Sequence, residues 1–112
     1  RVARLKSITT PVAAAGSTVA DAAALGAANI VHITSDDATK GVKMPAAVLG
    51  DFKWIINDSA TACEFYANDG GTVNGLSADA SVVIPASKGI FVQAAAADTL
   101  IAFDLPAKAT AS

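Results

Sequence analysis

His32 is the only histidine in this sequence of 112 residues, so any catalytic triad would have to run through it. It sits between Val31 and Ile33 in a β-branched run, and strand alternation turns it to the face opposite those two. No Gly-x-Ser-x-Gly elbow accompanies it, so an exposed or interfacial strand histidine is the plainer reading. Cys63 is the one thiol. A nucleophilic thiol needs a positioned base or a helix N-terminus to lower its pKa, and His32 is the sole base on offer. Burial as a small apolar side chain is favoured instead. Cys63 has no partner for an internal disulfide and no metal-type spacing around it, which fits synthesis in a reducing compartment.

The charged residues build no site either. Asp36-Asp37 followed by Thr39-Lys40-Gly41 has the composition of a polar turn. Calcium needs roughly six to eight oxygen ligands at defined spacing, and no such pattern is present. Asn68-Asp69-Gly70-Gly71 reads as a tight turn whose glycines supply positive φ. Gly70-Gly71-Thr72 lacks the lysine of a phosphate-binding loop, while Lys43, Lys53 and Lys88 fall on separate strands. No cofactor, metal or catalytic role is expected.

The aromatic residues are the more informative set. Phe52, Trp54 and Ile56 share one face of a strand, and in the strand that follows Glu64 and Tyr66 share one. Together with Phe91 and Phe103 these are nearly all the large side chains the chain owns. Phe52, Trp54, Ile56, Tyr66, Phe91 and Phe103 are therefore read as a core or subunit-interface cluster. The sharper alternative is a sugar-stacking platform built from Phe52, Trp54 and Tyr66.

Strands are placed where β-branched or aromatic runs are bounded by Gly, Pro, Asn and Asp. The candidates are Arg4–Ile8, Ile30–Thr34, Gly41–Met44, Phe52–Asn57, Ala62–Ala67, Ser81–Ile84, Gly89–Ala94 and Thr99–Asp104. Turn signals about every ten residues suggest an all-β fold: an antiparallel β-sandwich or barrel of about eight short strands, with little helix. One short helix is expected over Ser17–Leu25, bracketed by Gly16 and Gly26. Three segments, Trp54-Ile55-Ile56, Gly89-Ile90-Phe91-Val92 and Leu100-Ile101-Ala102-Phe103, are apolar on both faces. A sheet with one wet face would alternate, so their outward residues are candidates for an interface. Met44-Pro45-Ala46 leading to Phe52 is echoed by Ile84-Pro85-Ala86 leading to Phe91, and Leu105-Pro106-Ala107 begins a third copy. Recurrent turn chemistry explains this as well as duplication does, and both imply hairpins.

Composition narrows the class. Alanine supplies 27 residues and aromatics only 5%, so the mean buried side chain is small and stability has to come from backbone hydrogen bonding and from burying extra surface against something else, which points toward an oligomer or larger assembly. Charged residues make up 16% and the net charge is −2, which argues against nucleic acid as a partner. No apolar run approaches the ~18 residues of a membrane span; Gly16, Asp21 and Gly26 break the Ala-rich stretch. The domain plan is an N-terminal arm or edge strand over residues 1–10, a single β domain over 11–105 and a flexible C-terminal tail over 106–112.

The stretch from Gly50-Asp51-Phe52-Lys53-Trp54-Ile55-Ile56-Asn57 through Ala62-Cys63-Glu64-Phe65-Tyr66 to Asn68-Asp69-Gly70-Gly71-Thr72-Val73-Asn74-Gly75, read with Ala78 and Val82-Val83-Ile84-Pro85-Ala86, carries a resemblance. It resembles small all-β phage virion proteins of the head-decoration, cement or head-fibre type, over about residues 12 to 95. It departs from that pattern at Ala67, where proline often follows the aromatic strand, and in its long Ala-rich lead. The resemblance implies a non-enzymatic protein on the capsid exterior, made in the bacterial host cytoplasm. Its implied partners are copies of itself, as a homo-oligomer of trimer type, and the major capsid protein. Arg1, Arg4 and Lys6, three cations at the start of the chain, are the candidate capsid contact. A carbohydrate- or receptor-binding module of a fibre or tail is the alternative.

Overall fold

The computed structural model describes residues 11–106. Ten short strands form two sheets, and no helix occurs among the described residues. In chain order they are β1 Val12–Ala13, β2 Ala23–Ala24, β3 Ile30–Thr34, β4 Gly41–Lys43 and β5 Phe52–Asn57. They continue as β6 Cys63–Tyr66, β7 Thr72–Val73, β8 Val82–Ile84, β9 Gly89–Ala96 and β10 Thr99–Asp104. The larger sheet has the order β1-β3-β5-β9-β10-β7 and the smaller β2-β4-β6-β8.

Through β6 the chain visits the two sheets alternately. β1, β3 and β5 stack in parallel in one, while β2, β4 and β6 stack in parallel in the other. Parallel neighbours need a crossover of about a dozen residues or more, usually helical. Here the strand of the opposite sheet serves as that crossover, which gives a solenoid-like arrangement. The winding then changes: β8 runs antiparallel to β6, and β9 and β10 form a hairpin that adds antiparallel to β5.

This corrects the antiparallel expectation. β5 and β6 are not a hairpin; they belong to different sheets. Turn residues at a corner that switches sheets are the same Asn, Asp, Ser and Gly that close a hairpin, so composition does not tell the two apart. Asn57 makes this corner. Its fully buried side chain accepts from the Ser59 amide at 3.0 Å and hydroxyl at 2.6 Å, and donates to the Thr61 carbonyl at 2.9 Å. The Met44-Pro45-Ala46 and Ile84-Pro85-Ala86 echoes likewise mark crossings, each leading from the end of a small-sheet strand into a large-sheet strand.

The expected helix over Ser17–Leu25 is also overturned. The carboxylate of Asp21 gathers the amides of Ser17 and Thr18 and the Thr18 hydroxyl at 2.9–3.1 Å, folding the segment into a turn. Leu25 then donates its amide to the Lys43 carbonyl at 2.9 Å, continuing the β2–β4 pairing. The candidate strand Arg4–Ile8, the arm over 1–10 and all of the tail but Pro106 lie outside the described residues.

Both sheets turn one face to a shared core. Val31, Ile33, Ile55, Ile90, Val92 and Leu100 from the large sheet meet Val42, Cys63, Phe65 and Ile84 from the small one, all essentially inaccessible. With period-2 alternation, these residues fix which side chains of the large sheet point away from the core.

Candidate functional site

The outward face of the large sheet carries a transverse aromatic row. Ile30 is the register partner of Trp54, Trp54 of Phe91, and Phe91 of Phe103, so four neighbouring strands place these side chains in one line. The Trp54 and Phe91 rings lie 4.7 Å apart at 52°, and Phe52 sits 6.1 Å from Phe91 at 39°. Ile56 beside Trp54 and Ile101 extend the apolar surface, and the exposed Gln93 stands between Ile101 and Phe52. Trp54 is 39% exposed and Phe103 52%. Tilted neighbouring rings of this kind hold one another in place, so the face is preformed.

Five of the six aromatic and apolar residues singled out from the sequence therefore meet on this face: Phe52, Trp54, Ile56, Phe91 and Phe103. Tyr66 does not join them. It lies on the small sheet, 6% exposed, over Gly41, where a Cβ would come within 2.7 Å of its ring. Its hydroxyl donates to the Ser17 carbonyl at 3.3 Å. Burial, and then the nearby Glu64 and Asp21 carboxylates, push the phenol pKa up. A platform combining Phe52, Trp54 and Tyr66 is excluded by this separation. Arg1, Arg4 and Lys6 fall outside the described residues.

His32 stands on the same outward face, opposite Ile56, and its Nδ1 lies 2.8 Å from Oδ2 of Asp58. This pair was not visible in the sequence, since the two residues are 26 apart and meet only through the parallel β3–β5 register. A carboxylate at Nδ1 is how a catalytic imidazole is oriented, but the pair also needs a nucleophile at its other nitrogen. Ser59, next along the chain, has its hydroxyl committed to Asn57.

Cys63 is fully buried, and its thiol donates to the Glu64 carbonyl at 3.3 Å. Burial, with Glu64 adding to it, pushes the thiol up to about 11, which is the opposite of an activated nucleophile. Asp36 pairs with Lys40 at 2.9 Å, and Asp37 caps Thr39 through both amide and hydroxyl, so the acidic turn is closed on itself. No group of three potential metal ligands occurs among the described residues.

Lys53 escaped the sequence reading. Alternation puts it on the core side of β5 with Ile55 and Asn57, and it is 3% exposed. Its Nζ donates to the carbonyls of Gly26, at 2.6 Å, and Ala28. Burial pushes the Lys53 pKa down, opposed in part by Asp51.

Comparison with models of known families, with curated proteins and with solved structures finds no match to this chain.

Proposed function

We propose that the chain is a non-enzymatic structural protein that associates with copies of itself through the aromatic face of its large sheet, and that it decorates and stabilises a phage capsid. The observation that carries the first part is the row Ile30–Trp54–Phe91–Phe103, with Trp54 and Phe103 open to solvent and Ile56 and Ile101 beside it. Large side chains are scarce in this sequence, and four of its six aromatics lie on this one outward face. Contiguous apolar surface of this kind on a small protein marks an interaction site. Aromatic residues at the centre of an interface contribute most of its energy.

The second part rests on the resemblance of the segment from Gly50 to Ala86 to virion decoration proteins. In that reading the protein works by mass action: a ligand that binds only the assembled lattice stabilises it by RT ln(1 + [L]/Kd). Trimeric assembly and a capsid contact through Arg1, Arg4 and Lys6 belong to the same proposal.

Exposure of Trp54 also favours glycan binding, because aromatic faces stack on sugar rings. Against this, the rings are inclined by 39° and 52° to one another, and Ile30, Ile56 and Ile101 border them with apolar surface.

Sedimentation equilibrium tests the self-association. The wild type should give a mass several times 11.1 kDa at micromolar concentration, and Phe103→Gln should shift it to the monomer with little change in melting temperature. A wild-type monomer refutes self-association. Quantitative mass spectrometry of purified virions tests the location: a copy number near that of the major capsid subunit is expected, and absence from virions refutes it. A monomer whose Trp54 signals respond to oligosaccharides would transfer the face to the glycan reading.

A further inference from the structure

Lys53 is a buried cation with no carboxylate in direct contact among the described residues; Asp51 acts on it from further off. The lysine–carboxylate pairs among the described residues are Lys40–Asp36 and Lys43–Asp69, and Lys53 is in neither. Burying a charge is costly unless it is paired, and the carbonyls of Gly26 and Ala28 offer dipoles only. An ammonium carries three donors. Two are used by those carbonyls, and the third has no acceptor among the described residues.

A pocket of about 340 Å³ adjoins this group, at the small end of the range for ligand sites. Lys53 and Gly26, whose carbonyl Nζ touches, both line it, which places the ammonium close behind its wall. Leu25, Met44, Pro45 and Phe52 supply apolar walls. Asn29 is fixed there by donating its side-chain amide to the Phe52 carbonyl at 3.0 Å. Asp51 is the one carboxylate of the lining; it is exposed and accepts the Val48 amide at 3.0 Å.

We propose that this pocket binds a small monocarboxylate with a short apolar tail, the carboxylate accepting the third N–H of Lys53 and the tail lying against Leu25, Met44 and Phe52. The ligand supplies a counter-charge in contact with the ammonium, and it opposes the burial effect that lowers the Lys53 pKa, as Asp51 does from further off. Asp51 sets the charge limit. A second carboxylate on the ligand would be repelled there, so monoanions are preferred to dianions. The site shares Phe52 with the edge of the aromatic face, while Lys53 points to the other side of β5.

Butyrate is the probe, titrated into protein carrying isotope-labelled lysine and followed by NMR. The Lys53 side-chain signal should shift saturably, with half-saturation on the order of 1 mM for so small a ligand, while the other lysines stay in place. Butyramide, equal in shape and uncharged, should bind at least about tenfold more weakly. Ala46→Phe places a ring in the pocket from an exposed position and should abolish the shift with Lys53 intact. Lys53→Met should abolish the butyrate-dependent rise in melting temperature; if that variant does not fold, the wild-type titration and Ala46→Phe decide. Any one of three results overturns the proposal: a drift shared by all lysines, an equal response to butyramide, or an unchanged response in Ala46→Phe.

Discussion

Trp54 and Phe91 face one another across β5 and β9 with ring centroids 4.7 Å apart, on the side of the sheet away from the core. With the indole 39% exposed, Trp54→Ala leaves no deep cavity, and its cost to the monomer should be about 1–2 kcal/mol, below the ~3–5 kcal/mol of a fully buried aromatic. The main effect should be on assembly, with self-association weakened at least about tenfold, as for a central aromatic anchor. Sedimentation and denaturant melts on the same samples separate the two effects. A large stability loss with unchanged association would move Trp54 into the core.

Asn57 should prove more damaging to folding than any of the exposed aromatics. Its amide ties the β5–β6 corner to itself through Ser59 and Thr61 and reaches the Pro85 carbonyl at 3.3 Å. Asn57→Leu is close in size but leaves these buried partners unsatisfied, at about 1–3 kcal/mol each where water cannot replace the amide. Urea unfolding should show a total loss of at least ~2 kcal/mol. A change below ~0.5 kcal/mol would mean that water enters the corner freely.

The contrast between these two residues shows what the sequence carried. β3, β5 and β10 coincide with the predicted strands because runs such as Ile30–Thr34 and Phe52–Asn57 are dense in β-branched and aromatic residues. The shared face of Phe52, Trp54 and Ile56 was legible from alternation alone. Which face was buried was not, since Lys53 and Asn57 look polar and yet lie inward, Lys53 bonded to backbone carbonyls 25 or more residues away and Asn57 to its own corner and to the Pro85 carbonyl. β1, β2 and β7 are two residues each, valine-alanine, alanine-alanine and threonine-valine; such strands exist through their neighbours' ladders, and no local pattern announces them. Parallel winding depends on long-range register and was therefore hidden behind turn residues common to hairpins and corners.

Cys63 should behave as a masked thiol. With its pKa pushed up to about 11 by burial, a disulfide reagent at pH 8 should react with the folded protein at least about a hundredfold more slowly than in urea, since both thiolate fraction and access are lost. Cys63→Ser should fold with a loss of about 1–3 kcal/mol from placing a hydroxyl in an apolar site. Rapid labelling of the native protein would show that the core opens around β6.

Acid should loosen the segment before β2. The Asp21 carboxyl is held below its ordinary value by hydrogen bonds from the Thr18 amide and hydroxyl and the Ser17 amide. A folded pKa below the unfolded one means that the carboxylate stabilises the fold fully above the ordinary value of 3.8, and that this contribution is lost as pH falls through the folded value. Asp36 and Asp37 are shifted the same way by Lys40 and Thr39, so the melting temperature of the wild type alone does not isolate Asp21. Asp21→Asn does, because it keeps the side chain's shape and removes its charge. The variant should melt below the wild type at pH 6, and the gap should narrow steadily as pH drops below about 3.8. The Tyr66 hydroxyl, bonded to the Ser17 carbonyl that this turn presents, should lose protection from solvent over the same range in the wild type. A gap that stays constant from pH 6 to the acid limit would mean that the charge on Asp21 does not hold the turn.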